Sequence, residues 1–304
     1  MIEQRETIIF LTNFTMTPCF TIYGKIYYVI GNRPLIMLNQ IIGQELIRED
    51  QANPLLVGKI SIVIPAYNEA KRIGATISSL LEHIPEIKEI IVVFDGTDGT
   101  ADVVSKLGGK VKILRFNNRL GQGRAIFTGF RISTGDVICF VDADGASPWY
   151  EIKRICSQVN EVTPAVFGSR WVKESKIGKK ESLVNIIGGR MYYLFSFLIL
   201  GVDVKDSFCG LKAFTKSIAK DLAKKIVIDD RTFNVAISYH LKQMGVRPKE
   251  IGIEWHHQYG SKLPVDLKVI VVMFTTLIGL RLAHSHFKSL RMLSISFRNK
   301  ISFY

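Results

Sequence analysis

The sequence predicts an α/β protein built on an open, mostly parallel sheet. From residue 59 onward, short apolar runs rich in Val and Ile alternate with longer segments that have the apolar spacing of helices. Near-continuous apolar runs are typical of parallel strands, because helices cover both faces of such a sheet. A regular alternation of these strands with helices indicates an α/β fold.

The predicted elements follow one another in a regular order. We expect strands at 60–64, 90–94, 111–114, 137–141 and 165–167. We expect helices between them at 69–83, 100–107, 123–132 and 149–159. Ligands bind beyond the carboxyl ends of the strands in sheets of this kind, so the residues that follow each strand are the candidates for a functional site.

Two long apolar stretches follow the alternating region, at 185–202 and 265–282. Each has an uninterrupted apolar core shorter than the roughly 20 residues that a membrane-spanning helix needs. Buried helices and helices that lie in a membrane interface are both compatible with this pattern. The flanking cations, and the side chains of Tyr192 and Tyr193, which we expect to be exposed, favour interfacial helices.

The stretch at 7–30 is long enough to cross a bilayer and contains one charge, Lys25. Its polar residues make it weakly apolar, and no small-residue cleavage site follows a basic start. A membrane anchor and an irregular extension are both open for this stretch. The predicted organisation is therefore an extension or anchor at 1–58, an α/β domain at 59–262, and an interfacial helix with a basic tail at 263–304.

The chain is strongly basic, with 40 Lys and Arg against 27 Asp and Glu and a formal net charge of +13. A charge of this size predicts an anionic partner. The cations concentrate beside apolar runs, at 170–190 and 281–304, which is typical of membrane-surface segments and uncommon in nucleic-acid-binding faces. We therefore expect a membrane surface as a partner, and no nucleic acid.

The cysteines give information about the cellular setting. The chain has four of them, at positions 19, 139, 156 and 209, with no paired spacing. This distribution argues against a disulfide framework and against a zinc site. It is consistent with a reducing, cytoplasmic setting.

The strand predicted at 137–141 is followed by Asp142, Ala143 and Asp144. Side chains alternate along a strand, so the two aspartates should point the same way. Two carboxylates at the end of a buried strand repel each other unless a cation lies between them. Mg²⁺ and Mn²⁺ prefer oxygen ligands and bridge to substrate phosphates. The sequence therefore predicts a Mg²⁺ or Mn²⁺ site here; the alternative is a pair of solvated loop acids.

Two earlier strand ends carry groups that suit a nucleotide. Pro65 should end the first strand, and Asn68 can cap the helix that follows. Tyr67 offers a flat face for a base, and Glu69 offers an acceptor for ribose hydroxyls. After the second strand, Asp95 can accept a hydrogen bond from a base N–H group. Taken singly, each group is also compatible with ordinary turn chemistry.

These motifs together resemble those of the family 2 glycosyltransferases, which have a GT-A fold with a Rossmann-like, mostly parallel sheet and helices on both faces. The resemblance extends over residues 59–262 and rests on the motifs at 65–69, 95–96, 142–144 and 168–170. The motifs at 206–214 and 260–262 are similar to those of the branch that glycosylates polyprenyl phosphates. That branch includes the dolichyl-phosphate mannose synthases and the dolichyl-phosphate glucosyltransferases.

The resemblance implies a role for each site residue. The nucleotide would be held by Pro65, Tyr67, Glu69 and Asp95, and the metal-bound diphosphate by Asp142 and Asp144. The phosphates of donor or acceptor would be met by Arg170, Arg190 and Lys262. Asp206 would belong to the loop that closes around the acceptor, and the catalytic group would comprise Asp144, Arg170 and Asp206.

The reaction implied is an inverting transfer of a sugar from a nucleoside diphosphate sugar to a polyprenyl phosphate. It would use Mg²⁺ or Mn²⁺ at the cytoplasmic membrane face and make a lipid-linked sugar donor for protein glycosylation. The motifs at 144–146, 209–210 and 254–255 are closest to the dolichyl-phosphate glucosyltransferases, which favours UDP-glucose and dolichyl phosphate as substrates. The same chemistry with GDP-mannose is the near alternative.

Four positions depart from the family pattern. Phe94 replaces an aspartate, Ala146 replaces a possible metal-ligating glutamine of the mannose synthases, and Asn234 and Ala236 replace an acidic pair. These departures keep open a different class of function, a catalytically silent nucleotide-sugar-binding membrane module. A phosphate acceptor nevertheless needs no protein base, because it is largely a dianion at pH 7.

Overall fold

The structure is a computed structural model of the 304-residue chain. It describes residues 17–22, 25–30, 33–34, 59–178, 183–256 and 267–283. Side chains are described within 59–178, 186–256 and 271–283. The chain divides into two compact units, Met1–Ala52 and Asn53–Tyr304.

The first unit contains a small antiparallel sheet. Its strands are β1 (Thr17–Ile22), β2 (Lys25–Ile30) and β3 (Arg33–Pro34). The described part of the stretch at 7–30 is therefore extended chain. Across the described part of the whole chain, no helix is long and apolar enough to cross a membrane. Lys262 and the predicted basic tail beyond residue 283 lie outside the described residues.

The second unit is built on a seven-stranded sheet with the order β11-β8-β10-β7-β4-β5-β6. Its strands are β4 (Ile60–Ala66), β5 (Ile87–Phe94), β6 (Val111–Arg115), β7 (Val137–Val141), β8 (Ala165–Ser169), β10 (Leu211–Thr215) and β11 (Lys249–Gly252). Strand β10 is antiparallel to both neighbours, and every other pair is parallel. The prediction of a mostly parallel sheet is confirmed. Two short strands, β9 (Lys176–Ile177) and β12 (Glu254–Trp255), pair separately.

Helices cover both faces of this sheet. They are α1 (Ile73–His83), α2 (Thr100–Ser105), α3 (Gln122–Ile132), α4 (Trp149–Ser157), α5 (Leu183–Leu200), α6 (Lys216–Lys225), α7 (Phe233–Gln243) and α8 (Leu267–Ala283). One apolar core contains side chains of α1, α2 and α4, and the other contains side chains of α3 and α5 to α8. Successive residues of β4 alternate between the two cores, with Ile62 in one and Val63 in the other.

The predicted elements do not include β11, α6, α7 or the antiparallel strand β10, and β10 is the one at the centre of the sheet. It reads Leu-Lys-Ala-Phe-Thr, and Lys212 in its middle is completely buried. A lysine interrupts the apolar run that normally identifies a central strand. The strand therefore looks like a loop in the sequence, although it occupies the centre of the sheet between β7 and β8.

Helices α5 and α8 occupy the two late apolar stretches and pack together, with the rings of Phe195 and Phe274 4.5 Å apart. The expectation that Tyr192 is exposed is wrong, because α5 turns this residue into the core, where it is 3% exposed and packs on Phe208. Tyr193 is partly buried and donates to Asp203 Oδ1 at 3.1 Å. The exposed side of α5 carries a stripe of large apolar residues, Ile187, Met191, Leu194 and Leu198.

A buried carboxylate, Glu89, lies near the start of β5, at the end of the sheet opposite the carboxyl ends of the parallel strands. It accepts hydrogen bonds from Ser61 Oγ (2.7 Å), Lys112 Nζ (2.7 Å), and the backbone N–H (2.7 Å) and hydroxyl (2.8 Å) of Thr134. Burial opposes ionisation, but these hydrogen bonds outweigh it and lower the pKa of Glu89 to about 2. The charge thereby joins β4, β5, β6 and the turn before β7.

We expect Glu89→Gln to lower the free energy of unfolding at pH 7 by about 1.5–3 kcal/mol, because several charge-assisted hydrogen bonds are lost. The pKa of Glu89 is lower in the folded protein than its ordinary value of 4.5, so this stability is complete above about pH 4.5 and is lost as the pH falls towards 2. Urea unfolding of variant and wild type should therefore converge near pH 2. Exposed Glu161→Gln is the control, and an undiminished difference at pH 2 would contradict the assignment.

Candidate active site

The carboxyl ends of β4, β5 and β7 meet at one edge of the sheet, as the sequence predicts. Asn68 Oδ1, after β4, accepts hydrogen bonds from the backbone N–H groups of Thr97 (2.8 Å) and Asp98 (3.2 Å), after β5. Thr76 Oγ1 in α1 donates to the carbonyl oxygen of Ala143, after β7, at 3.0 Å. Asn68 thus links two strand ends, and the prediction that it caps the following helix is wrong.

The two aspartates predicted to hold a metal lie directly after β7. Asp142 is half-buried and accepts a hydrogen bond from Gln122 Nε2 at 3.2 Å, while Asp144 accepts one from the backbone N–H of Ala146 at 3.0 Å. Burial and the neighbouring Asp144 carboxylate raise the pKa of Asp142 to about 7, although Lys212 opposes the rise. Ionisation of Asp142 beside Asp144 is therefore unfavourable in the protein alone.

This acid pair fits a hard divalent cation. Its donors are carboxylate oxygens, which Mg²⁺ and Mn²⁺ prefer. Gly210 packs directly against Asp142, and a Cβ at that position would collide with the carboxylate. Among the described residues, no group of three or more metal-binding side chains occurs.

The predicted base-binding face is covered by a residue that sequence reasoning missed. The guanidinium of Arg119 lies over the ring of Tyr67, 3.5 Å from the ring centroid. Arg119 belongs to the loop after β6. Its position as a cation that follows a third predicted strand is the sequence signal that could have identified it. The prediction that Pro65 ends the first strand is wrong by one residue, because β4 continues to Ala66; Pro65 is paired with Val93 of β5 and lies beyond the pairing with β7.

The other two nucleotide candidates have partners within the protein. Glu69 Oε2 accepts a hydrogen bond from Arg72 Nε at 2.8 Å. Asp95 Oδ2 accepts from the backbone N–H groups of Leu120 (2.8 Å) and Gly121 (3.1 Å), which fixes the loop after β6 beside the end of β5. Gly121 has a φ of +82°, a conformation that favours glycine. The structure thus brings Tyr67, Glu69 and Asp95 to one place.

Arg170 and Asp206 form a buried, bidentate ion pair. The Arg170 guanidinium donates to Asp206 at 2.8 and 2.9 Å, and the Arg170 backbone N–H donates at 2.9 Å. Burial opposes ionisation of the completely buried Asp206, but these hydrogen bonds lower its pKa below the ordinary value. Glu250 accepts from the backbone N–H of Asp206 at 3.0 Å. The pair joins the segment after β8 to the loop before β10.

Arg190, another predicted phosphate-binding residue, is exposed on α5. Its guanidinium lies 4.9 Å from the centroid of the Trp171 ring. Trp171 also packs against Gly189, where a Cβ would collide with the indole. This contact places Arg190 next to the segment that begins with Arg170, so the two predicted cations share one region. The interaction of either with phosphate stays a prediction.

Lys212 is a buried cation beneath the acid pair that sequence reasoning did not assign to the site. Its Nζ donates to the carbonyl oxygens of Ser207 (3.0 Å) and Cys209 (2.5 Å) and to Asn234 Oδ1 (2.7 Å). Burial lowers the pKa of Lys212 to about 8, while nearby acids, including Asp142, oppose the decrease. Asn234, one of the departures from the family pattern, therefore orients this ammonium group.

Comparison with known proteins decides the family. Residues 61–223, more than half of the chain, match the sequence profile of glycosyl transferase family 2. The chain belongs to this family. Among the predicted site residues, all but Lys262 fall within the matched region. The resemblance inferred from the motifs is confirmed, and the chain is a glycosyltransferase.

Relatives of this family 2 chain carry a common name. It is 27% identical over 236 residues to a dolichyl-phosphate beta-glucosyltransferase of Dictyostelium discoideum, covering 70% of this chain and 71% of that protein. It is 26% identical over 226 residues to the Homo sapiens enzyme of the same name, covering 67% and 69%. The Saccharomyces cerevisiae enzyme is 28% identical over 250 residues, covering 74% and 75%.

Solved structures confirm the GT-A-like fold. Glucosyl-3-phosphoglycerate synthase from Mycobacterium tuberculosis in complex with uridine-diphosphate has a TM-score of 0.57 at 17% identity, covering 77% of this chain and 84% of that one. The same enzyme with Mn²⁺, uridine-diphosphate and glucosyl-3-phosphoglycerate has a TM-score of 0.56, with 17% identity over 77% and 84% of the chains. Its complex with Mg²⁺ and uridine-diphosphate also gives 0.56, with 16% identity over 77% and 83%.

We expect Gly210→Ala to weaken Mn²⁺ binding by about 10- to 100-fold, because the new methyl group displaces the Asp142 carboxylate from its position. Titration of Mn²⁺ by electron paramagnetic resonance, with UDP present, measures the affinity. Gly279→Ala is the control, since a Cβ there meets no atom within 4 Å. Unchanged Mn²⁺ affinity in a folded Gly210→Ala protein would show that Asp142 is not a ligand.

Proposed function

We propose that this protein transfers glucose from UDP-glucose to dolichyl phosphate or another polyprenyl phosphate, with inversion at the anomeric carbon. The observation that carries the proposal is the Asp142–Asp144 pair at the meeting point of three strand ends. The names of the relatives support the substrates, because the D. discoideum, human and yeast proteins are all dolichyl-phosphate beta-glucosyltransferases.

The nucleotide would lie across the ends of β4 and β5. The Tyr67 ring would stack on the base, Asp95 would accept from a base N–H, and Glu69 would accept from the ribose. Pro65, the penultimate residue of β4, would lie beside the nucleotide. Arg119, which covers the Tyr67 ring in this structure, would move onto the base or the phosphates as the nucleotide enters.

The diphosphate would be held at the end of β7. Asp142 and Asp144 would bind Mg²⁺ or Mn²⁺, which supplies positive charge to a departing UDP. Two of the similar structures solved with UDP contain Mn²⁺ or Mg²⁺. The raised pKa of Asp142 fits this assignment, because a carboxylate that is hard to ionise alone is stabilised by an adjacent cation. We propose Arg170, Arg190 and Lys262 as the cations that meet the phosphates.

The lipid phosphate would act as the nucleophile without a protein base. Its second pKa is near about 6, so at pH 7 it is largely a dianion. One phosphate oxygen forms a bond to the anomeric carbon while the bond from that carbon to UDP breaks, and UDP leaves with the electron pair. A single displacement converts an α-linked donor into a β-linked product. Asn234 and Ala236 are compatible with this mechanism, because it needs no acidic side chain there.

We propose that the protein works at the cytoplasmic membrane face through α5 and α8. The exposed residues Ile187, Met191, Leu194 and Leu198 are spaced by three or four positions and form one apolar face of α5. Val271 and Ile278 extend the exposed apolar surface on α8. Arg190 is exposed on the first of these helices and Arg281 on the second, which suits an interface with anionic lipid.

A second candidate function is a membrane module that binds a nucleotide sugar without turnover. Two observations favour it. Phe94 occupies a position where the family has an acid, and Asn234 accepts a hydrogen bond from Lys212 instead of contacting a substrate. The same nucleotide contacts would serve binding alone. Turnover by the purified protein separates the two candidates.

We expect purified protein to transfer glucose from UDP-glucose to dolichyl phosphate, to stop in EDTA, and to recover with Mg²⁺ or Mn²⁺. Asp144→Asn should lower kcat by about 100-fold or more with an unchanged melting temperature, because charge on the leaving group is no longer stabilised. Asp136→Asn is the control, since Asp136 is an exposed partner of Lys59. A panel of labelled UDP- and GDP-sugars measures donor choice.

The outcomes of this assay discriminate between the alternatives. Full activity in EDTA would contradict the metal assignment. If the protein prefers GDP-mannose, the transferred sugar is mannose rather than glucose, and the reaction class is unchanged. Binding of UDP-glucose without transfer under any metal condition would favour the silent module.

Replacing Ile187, Leu194 and Leu198 together by serine should reduce partition onto vesicles that contain anionic lipid by about tenfold or more, because buried apolar area is lost. Vesicle flotation measures the partition, and circular dichroism checks the fold. Val162→Ser is the control, since Val162 is 93% exposed outside these helices. If high salt alone releases the wild-type protein, charge rather than the α5 stripe holds it on the membrane.

A further inference from the structure

Most cations of the site already have an anionic, aromatic or hydrogen-bonding partner within the protein. Those with a partner are Arg72 with Glu69, Arg119 with Tyr67, Arg124 with Asp229, Arg170 with Asp206, Arg190 with Trp171, and Lys212 with three neutral oxygen atoms. A phosphate that binds any of these arginines competes with the existing partner. A cation without such a partner would bind phosphate at lower cost.

Arg231, in the loop between α6 and α7, is such a cation. Its side chain is half-buried, and among the described residues its guanidinium has neither a hydrogen-bond acceptor nor an acid within ion-pair distance. Burial lowers the pKa of Arg231, while the more distant carboxylates of Asp230 and Asp142 oppose the decrease. The group is a desolvated positive charge close enough to the acid pair to interact with Asp142.

The backbone around Arg231 is firmly fixed. The Asp229 carbonyl oxygen accepts from the Gly123 N–H at 2.9 Å, and the Asp229 side chain binds Arg124 at 2.7 and 2.9 Å. The carbonyl oxygen of Arg231 itself accepts from Asn234 Nδ2 at 3.2 Å. The loop is thus held on α3, whose residue Gln122 contacts Asp142, and on α7. Arg231 is positioned relative to the acid pair before any substrate binds.

A second unpaired donor lies near the same loop. The Tyr192 hydroxyl is buried and has no hydrogen-bond partner among the described residues. Burial, followed by the nearby Asp230 carboxylate, raises the pKa of Tyr192 far above its ordinary value, so the phenol stays neutral and keeps its proton. Tyr192 and Arg231 therefore both lie near Asp230, whose Oδ1 already accepts hydrogen bonds from the backbone N–H (2.7 Å) and hydroxyl (2.5 Å) of Thr232.

We propose that Arg231 binds a phosphate group of the substrate beside Asp142 and Asp144. This inference rests on the proposed function for the identity of the ligand, which is either the phosphate of the lipid acceptor or the diphosphate of the donor. The planar guanidinium donates two parallel hydrogen bonds to phosphate oxygens, which a lysine cannot reproduce. Arg231 would thereby add a cation at the place where negative charge gathers during transfer.

Arg231→Met and Arg231→Lys test the assignment in the full chain. Calorimetry measures the affinity of each variant for UDP with Mn²⁺ and, separately, for farnesyl phosphate. We expect Arg231→Met to weaken one of the two ligands by about 10- to 100-fold, as expected for a lost charge-assisted hydrogen bond. Loss for farnesyl phosphate assigns the residue to the acceptor, and loss for UDP assigns it to the donor. Arg231→Lys should fall between Arg231→Met and wild type.

Arg247→Met is the matched control, because Arg247 is an exposed partner of Asp203, and its affinities should equal those of wild type. Thermal unfolding establishes that each variant is folded. If Arg231→Met does not fold, the ligand affinities of Arg231→Lys alone test the assignment. Wild-type affinity for both ligands in a folded Arg231 variant, in a protein that transfers glucose, would overturn this inference and leave the proposed function standing. A loss of ligand affinity in Arg231→Met, in a protein without transferase activity, would support the inference and overturn the proposed function.

Discussion

One buried ammonium group, that of Lys212, connects the segments that lie beneath the acid pair. Lys212 Nζ binds the carbonyl oxygens of Ser207 and Cys209 and the side chain of Asn234, so β10, the turn before it and α7 share a single charge. A buried charge is costly unless it is fully hydrogen-bonded, which means that these oxygens cannot move away without a penalty. The same charge acts on Asp142. Packing of the turn and electrostatics of the acid pair therefore depend on one atom.

Several other charged groups of the site already have partners within the protein before a substrate arrives. Glu69 lies against Arg72, Asp95 holds backbone N–H groups, and Arg170 is fastened by Asp206. Such pairing orients side chains and reduces the entropy lost on binding. It also means that a ligand which breaks a pair must replace an existing interaction. Asp142, Asp144 and Arg231 differ, since none of these charges is matched by a close ion pair among the described residues.

The sequence allowed the parallel strands and the acid pair to be predicted, because apolar runs and strand-end residues are local patterns. Strand β10 escaped prediction because Lys212 interrupts its apolar run, and its environment is visible only once distant segments are packed around it. The burial of Tyr192 depends on which side of α5 meets the core, and that apolar helix gives no clear polar face. Arg119 and Arg231 stand in loops, where spacing carries no information about neighbours.

The reversed direction of β10 determines how the chain reaches the site. Its first residue, Leu211, is paired with Val141, the last residue of β7, so the segment before β10 arrives at the acid pair by the shortest route. In a parallel strand, that segment would end at the opposite edge of the sheet, and only the segment after the strand would reach the ligand. The reversal therefore lets one sheet present two kinds of contact surface. In the proposed function, the ends of the parallel strands would contact the donor and the segment before β10 would contact the acceptor. A change in that segment, which follows α5, could then alter the acceptor without altering the parallel strands.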